Sequence, residues 1–541
     1  RLMLDSQIES IVKARAEIAA RPRPGAAGDV EPTRTSPDMT DARIEPLVKV
    51  RTKIVATMGP ASRDPETLRR LIVAGVDVFR LNFSHGSHEE HSETYRRIRE
   101  VGRELGREIA ILQDLCGPKI RLGSIAGDVV ACDQDAEFVL AAEAADPADP
   151  FELTCTYKEL ADDLEIGQTV LFADGTVGMV VTEKRPGRAR LKVTLPGRIR
   201  SNQGINVPDA SLSVSALTDK DVADLDWTAR HEVSYVGLSF VRHAEDVVRL
   251  RSELEARGCH ARIIAKIEKP QAVADLEAIV AEADGVMVAR GDLGVEIDVA
   301  KVPAVQKRII ELCHKARVPV ITATQMLNSM ESSSRPTRAE ASDVFNAVLD
   351  GTDAVMLSGE TAIGDYPVEA VSVMSQIAAE AENLVFSRFG DGYAERLFSS
   401  NVCPYCSGRH ARGAVARAGQ VLPITEAVVE AASRAASKLD AALLVVSTHS
   451  GRTALALSKQ RVATPILALT NDPEVAQAMA LYWGVTPLHI PRLFDSGQVL
   501  SFADEWCREH DLIQSGDRLV VVRGIFPDNP SHNAILVHEV E

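Results

Sequence analysis

Between residues 52 and 360 the chain repeats one pattern eight times: a short apolar run, mostly β-branched, followed by a helical stretch. The runs are TKIVATMG, VDVFRLNFSHG, IAILQDLCG, VSYVGLSFV, RIIAKIEK, GVMVARGD, PVITATQML and DAVMLSGE. Apolar runs of this length, alternating with helices, belong to strands of a parallel sheet covered on both faces. DPETLRRLIVAGV, HAEDVVRLRSELEARG and PAVQKRIIELCHKA supply helices between them. Eight such units are what a closed (β/α)₈ TIM barrel needs, so an α/β chain built on that barrel is expected.

One gap, residues 117–212, is too long for a crossover. It contains IGQTVLFADGTVGMVVTEKRPGRARLKVTL, whose alternating strands are punctuated by Asp-Gly and Pro-Gly. This reads as a small β-barrel domain inserted at the top of the main barrel, where it could close as a lid. After the eighth unit and the helix PVEAVSVMSQIAAEAENLVF, a second alternation begins: AALLVVSTHSG, TPILALTND, VTPLHI, DRLVVVRG and NAILVHEV. It predicts a smaller C-terminal domain with an open, mostly parallel α/β sheet. The expected plan is an N-terminal extension (1–45), a barrel (46–116 and 213–386), a lid (117–212), a connecting insert (387–423) and a C-terminal domain (424–541). The extension reads as an amphipathic helix, LMLDSQIESIVKARAEIAA, and a flexible linker. In the insert, Cys403 and Cys406 of CPYC, with His410 nearby, read as free thiols. A zinc site would lack a fourth ligand, and a redox dithiol would lack a preceding strand.

A net charge of −17 argues against a nucleic-acid-binding surface. No run of about 18 apolar residues is present, so no membrane-spanning helix is expected. The other six of the eight cysteines stand singly, the usage of a reducing compartment. The N-terminal stretch carries acidic residues and no cleavage pattern, which speaks against a secretory signal. The expected location is cytoplasmic.

GVMVARGDLGVEI, residues 285–297, begins as a buried strand and runs into what reads as a tight loop holding Arg290 and Asp292. RIIAKIEK ends similarly in Lys266 and Glu268. Barrel sites form at the C-terminal ends of the strands, so the polar residues there are read together. They are Arg80, Asn82, Ser84, Asp114, Lys266, Glu268, Arg290, Asp292, Thr324 and Gln325. Residues two apart on a strand share a face, which groups Arg80 with Asn82 and Ser84, and Lys266 with Glu268. A single ion pair could simply close a barrel end. Six charged groups at one mouth are costly to desolvate for structure alone, which favours a site. Glu268 and Asp292 suit a hard divalent cation, most naturally Mg²⁺. Arg80, Arg121 and Lys266 suit phosphoryl oxygens. The glycines of ARGDLG permit close backbone approach to an anion. Phosphoryl transfer is the reaction class these groups favour.

KIVATMGPAS, RLNFSHG, GPKIR, IIAKIEK, MVARGDLGVEI, TATQMLNSM, RPTRAEASDV and DAVMLSGETA resemble pyruvate kinases, and occur in that family's order. The resemblance covers residues 48–385 strongly and 424–541 more loosely. It implies Mg²⁺-dependent transfer of phosphate from phosphoenolpyruvate to ADP, giving pyruvate and ATP, with Mn²⁺ as a substitute ion. It implies Glu268 and Asp292 as Mg²⁺ ligands, and Lys266 as the cation on the phosphoryl group in flight. Arg80 would hold the transferring phosphate, while Gly291, Asp292 and Thr324 would contact pyruvate. Thr324 would also lie near the face where enolpyruvate is protonated. Asn82, Phe83, Ser84, His85 and Arg121 would line the nucleotide side, and a homotetramer is implied. Two rivals remain: a catalytically silent metabolite-binding relative, and another phosphoenolpyruvate-using barrel enzyme such as a carbon–phosphorus mutase or aldolase.

Several features depart from the family's pattern. Gln203 stands near a position where members often carry lysine, the CPYC insert has no counterpart, and VVVRGIFPDNPSHN replaces a glycine-rich loop usually near the effector site. Lys119 stands where many members have glutamate, and those members require K⁺. Their K⁺ site matches Asn82, Ser84, Asp114 and the backbone carbonyl of Leu115. A lysine ammonium is a fixed monovalent cation, so a K⁺ requirement is not expected. STHSGRTA, where a strand turns into a helix, reads either as a phosphate cradle or as an ordinary cap. The cradle would use Ser447, Thr448, Ser450, Gly451, Arg452 and Thr453, and bind a phosphorylated effector.

Overall fold

The computed structural model describes residues 50–541, apart from 144–145, 147, 209, 211–213, 390–421, 491–495, 510–511 and 524–532. The N-terminal extension, the CPYC segment and most of the IFPDNPSHN stretch therefore lie outside the described residues.

All eight apolar runs are strands: β1 (Lys53–Thr57), β2 (Val78–Asn82), β3 (Ala110–Asp114), β4 (Tyr235–Leu238), β5 (Arg262–Ile267), β6 (Gly285–Ala289), β7 (Val320–Ala323) and β8 (Ala354–Leu357). They close into one parallel barrel in chain order, β1 pairing with both β2 and β8. Every residue of β1, β3, β4, β6, β7 and β8 is buried, because helices cover the outside and side chains fill the inside. Local sequence fixes where the helices begin. Ser87 and Glu90 form a capping box that starts the helix His88–Glu104, so the turn Phe83–Gly86 stays at the barrel mouth.

Between β3 and β4 the chain leaves the barrel and forms a six-stranded sheet from Glu137 to Asn206, plus a small two-stranded sheet. Its own apolar core includes Phe138, Phe172, Met179 and Leu191. Gly117 turns the chain out of the barrel at φ +65, where a Cβ would lie 2.8 Å from the Phe240 ring. Only glycine combines that backbone angle with that approach.

The C-terminal domain is a five-stranded sheet of β9 (Leu443–Ser447), β10 (Ile466–Thr470), β11 (Val485–His489), β12 (Arg518–Arg523) and β13 (Ala534–Glu539). Its order is β11-β10-β9-β12-β13, parallel except for the last strand. It packs on the N-terminal end of the barrel, and the two interiors form one apolar cluster running from Met287 and Tyr235 to Met479 and Leu444. A buried charge triad fastens the join: Asp353, preceding β8, pairs with Lys459 at 2.6 Å and Arg461 at 2.9 Å.

Beside this join, Glu108 lines a small cleft with Lys53, Asp77 and Arg107. Burial pushes its carboxyl up to about 7, with Arg99 opposing. A carboxyl whose folded pKa is raised holds its proton in the native state while the unfolded chain has released it. Glu108 thus makes stability fall as pH rises from the ordinary value of 4.5 to about 7. Glu108→Gln should have a melting-temperature advantage over wild type that grows between pH 5 and pH 8. Thermal melts at both pH values check this, and a constant difference would refute it.

Candidate active site

Five charged side chains meet at the C-terminal mouth of the barrel. Arg80, late in β2, reaches Asp114 at the end of β3 through Nε (2.7 Å) and Nη2 (2.6 Å), and donates to the Thr57 hydroxyl at 3.1 Å. Lys266, on β5, directs its ammonium at three acceptors: Ser239 Oγ (2.7 Å), Asp114 Oδ1 (3.1 Å) and Glu268 Oε1 (3.0 Å). The hydrogen bond to Ser239 and the two ion pairs together hold the ammonium in place. Glu268 Oε2 accepts from the backbone N–H of Phe240 at 2.8 Å.

Asp114 and Glu268 are each 1 % exposed and Lys266 is 8 % exposed, so the charges must compensate one another. Arg80 and Lys266 against Asp114 and Glu268 leave a balanced set. The fifth group, Asp292, is half-buried and makes no side-chain hydrogen bond among the described residues. Burial and then Asp292 raise the Glu268 carboxyl, against the pull of Lys266. Burial also acts to raise Asp114, but Lys266 and Arg80 hold it below its usual range. For Lys266 burial favours loss of the proton, and the carboxylates of Asp114 and Glu268 more than offset it, so the ammonium stays charged.

The surplus carboxylate beside Glu268 fits a divalent cation. No set of three or more His, Cys, Asp or Glu side chains among the described residues forms a metal cage. Two carboxylates with water and substrate oxygens suit Mg²⁺, which dehydrates reluctantly and is seldom enclosed by protein alone.

Arg290 is a correction to the sequence reading. RGDLG is no loop: Arg290–Glu296 is a short helix that follows β6 directly. Its Asp292 faces the cleft beneath the lid, with Lys119, Asn206, Arg242 and Lys269. Arg290 is instead buried, paired with Asp343 at 2.7 Å and donating to the carbonyls of Ala323 (3.2 Å) and Thr324 (2.7 Å). It ties down the β7 loop and leaves phosphoryl contacts to other groups. In that loop Thr324 has φ +65, an uncommon conformation for a β-branched residue. Its Oγ1 accepts from Gly291 N at 2.7 Å. A Cβ on Gly291 would sit 3.3 Å from that oxygen, so glycine keeps the approach open.

The remaining expected residues divide. Asn82 Oδ1 accepts from Ser84 N at 3.1 Å, and His85 is exposed at the rim. The Phe83 ring is buried, stacked on His91 at 4.1 Å and edge-on to Trp227 at 5.0 Å, so it supports the turn from below. Arg121 Nη1 donates to the Asn202 carbonyl at 3.2 Å, on the lid side. The Leu115 carbonyl accepts from Ser239 Oγ at 2.7 Å. Lys119 is exposed on the cleft rim. In the C-terminal domain, Thr448 is buried and its hydroxyl accepts from Gly451 N at 3.1 Å, and Thr453 is buried too. Ser450 and Arg452 are exposed, and the helix Arg452–Ser458 has no side-chain cap.

Thr57 and Ser239 were missed in the sequence, although both are polar residues at or just beyond the ends of barrel strands. Extending the strand-end criterion to the first and fourth runs would have found them.

A barrel whose mouth holds cations and paired carboxylates beneath an inserted lid defines a phosphotransferase, and the comparisons agree. A family model described as "Pyruvate kinase, barrel domain" matches residues 49–371, and "Pyruvate kinase, alpha/beta domain" matches residues 426–538. The chain belongs to the pyruvate kinase family. It is 39% identical over 490 residues to the pyruvate kinase of Geobacillus stearothermophilus, covering 90% of this chain and 80% of that one. It is 41% identical over 489 residues to that of Agrobacterium vitis, covering 90% and 96%. A crystal structure of a pyruvate kinase from Cryptosporidium parvum superposes with a TM-score of 0.82 at 34% identity, covering 91% of this chain and 97% of that one.

Proposed function

We propose that this site transfers the phosphoryl group of phosphoenolpyruvate to ADP, giving pyruvate and ATP. The observation that carries the assignment is the Lys266 ammonium, fixed by Ser239, Asp114 and Glu268 beside the uncompensated carboxylate of Asp292. Glu268 and Asp292 would hold Mg²⁺, with Mn²⁺ as a substitute, and the ion would supply charge neutralisation for phosphoryl transfer. Arg80 binds the phosphate being transferred. A phosphoryl oxygen reaching Lys266 replaces one of its three present contacts, so the ammonium stabilises the group in flight without moving far. Gly291 N–H and Thr324 border the pyruvate end, and Thr324 faces the carbon that gains the proton. Asn82, Ser84, His85 and Arg121 serve the nucleotide, closed over by the lid of residues 117–212. An assay of ADP-dependent pyruvate formation tests the reading, and absence of ADP dependence would favour another phosphoenolpyruvate enzyme or a silent relative.

Family members generally require K⁺ as well. Here Asp114 already faces Arg80 and Lys266, Asn82 is engaged by Ser84, and Leu115 by Ser239. Lys119 adds a tethered positive charge at the rim of the same mouth, and a second monovalent cation nearby would be repelled. Activity in K⁺-free buffer, with a bulky organic cation maintaining ionic strength, is expected within about twofold of that with K⁺, well under 1 kcal/mol in barrier. Lys119→Glu should lower activity and create K⁺ dependence. A wild-type enzyme nearly inactive until K⁺ is added would sink this reading.

Cytoplasmic location, a homotetramer, and a phosphorylated effector acting through residues 447–453 complete the proposal. Among the described residues no helix is long and apolar enough to cross a membrane.

A further inference from the structure

The two carboxylates assigned to the metal stand on different elements: Glu268 just past the end of β5, and Asp292 in the short helix after β6. An octahedral ion such as Mg²⁺ tolerates little error in the distance between its ligands. A single ion pair joins the two segments. Lys269, the residue after Glu268, pairs with Glu296 at 2.6 Å. Glu296 lies one turn beyond Asp292 in the same helix, and residues four apart share a face. The pair is buried, Lys269 being 8 % exposed and Glu296 5 %.

The lid reaches the same carboxylate. Glu296 Oε1 accepts from Asn206 Nδ2 of the inserted domain at 2.9 Å. The lid approaches this helix at a second point, where a Cβ on Gly175 would stand 3.4 Å from Val295. The other oxygen of Glu296, Oε2, is buried with no hydrogen bond among the described residues. A buried ion pair with one oxygen unsatisfied is a poor source of stability, since apolar side chains of similar volume commonly serve as well. What it supplies is a fixed geometry between three segments. On its other side Lys269 Nζ lies 5.8 Å from the centre of the Phe240 ring. Phe240 has φ +56, an uncommon backbone for a bulky residue, and its N–H donates to Glu268 at 2.8 Å.

We propose that Glu296 is a positioning residue for the metal pair, setting the spacing of Glu268 and Asp292 and tying it to the place of the lid. The proposal rests on the reading of those two carboxylates as the Mg²⁺ ligands. Lys269 is the common anchor. It holds the Asp292 helix through Glu296, and it sits against the ring of the residue whose N–H holds Glu268. Asn206 shares the Glu296 oxygen, so a lid that moves away releases one of the two groups that fix this carboxylate. Glu296 acts through Asp292 and not as a third ligand, because no three-carboxylate cage forms among the described residues.

The test is titration of the full chain with Mn²⁺ in the absence of substrates, reading free Mn²⁺ by its electron paramagnetic resonance signal. Melting curves of the same variants are run in parallel. Glu296→Gln should raise the Mn²⁺ dissociation constant about tenfold, the usual effect of losing a group that orients metal ligands. It should also melt earlier, because Lys269 stays buried without its partner. Asn206→Ala should raise the constant about threefold, the scale of one lost hydrogen bond. The deciding variant is Lys269→Met with Glu296→Leu. It keeps the net charge and removes the unpaired cation, so the melting temperature should recover while Mn²⁺ binding stays about tenfold weak. Recovery of both would make the pair merely structural and overturn the proposal, as would wild-type Mn²⁺ affinity in Glu296→Gln. Unchanged affinity in Asn206→Ala would overturn the tie to the lid. Asp292→Asn separates this proposal from the reading beneath it. If Asp292→Asn binds Mn²⁺ as wild type does, the metal assignment fails and the positioning role with it. If it loses Mn²⁺ while Glu296→Gln keeps wild-type affinity, the positioning role alone is refuted.

Discussion

Asp292→Asn should lower turnover at least about a hundredfold at saturating Mg²⁺, a barrier increase of about 2.7 kcal/mol or more, with the melting temperature nearly unchanged. The reason lies in the charge balance of the mouth. Arg80, Lys266, Asp114 and Glu268 compensate one another when buried, and Asp292 is the carboxylate left over. Neutralising it removes the proposed metal ligand and leaves the other four undisturbed. Glu268→Gln should reduce turnover as much but also destabilise the fold. It leaves two buried cations against one carboxylate, which costs on the order of 3 kcal/mol. Lys266→Met should match either variant in phosphoryl transfer. It should be milder for enolisation of bound pyruvate, measured as exchange of methyl hydrogens with solvent, because that proton movement need not use this cation. Near-normal turnover in Asp292→Asn at saturating Mg²⁺ would remove the metal assignment. Equal loss of both reactions in Lys266→Met would give that lysine a part in protonation.

The eight barrel strands were legible because apolar runs bounded by helical periodicity have few other uses. Lys266 and Glu268 were legible for the same reason, since alternation across a strand holds nearly to its last residue. The rule failed where the strand stopped. Arg290 and Asp292, one glycine apart, look like same-face neighbours, yet the strand ends at Ala289. A helix turns by about 100° per residue, so the two side chains leave on opposite sides. One goes to the site and the other under the β7 loop. Phe83 shows a different limit: the motif around it is catalytic in character, but its ring joins His91 and Trp227 below the turn, leaving its backbone to face the mouth. No local pattern announces that stack, because Trp227 is more than a hundred residues away. In STHSGRTA the same limit applies, since Thr448 spends its hydroxyl on its own turn.

Arg290→Lys should lower kcat by roughly ten- to a hundredfold, at a distance from the substrate, through the loop that presents Thr324. The left-handed backbone at Thr324 (φ +65) and Gln325 (φ +53) is conformationally costly, on the order of 1–3 kcal/mol per residue. Such a conformation persists only if its surroundings hold it. Arg290 does so with a planar fork: Nε to the Ala323 carbonyl, Nη2 to the Thr324 carbonyl, and Nη1 to Asp343 at 2.8 Å. Lysine keeps the charge but cannot reach these acceptors in one plane. The loop should then relax, and the Thr324 hydroxyl should lose its contact with Gly291 N. A purely structural role would lower stability and spare the chemistry. A positioning role should act most on the step nearest Thr324, so solvent exchange of pyruvate methyl hydrogens should slow more than phosphoryl transfer. Asp343→Asn, which keeps the arginine and its carbonyl contacts, should be much milder. If Arg290→Lys melts earlier but keeps kcat within about twofold, an effect under 1 kcal/mol in barrier, Arg290 only fastens the fold. The strained Thr324 backbone would then hold without it.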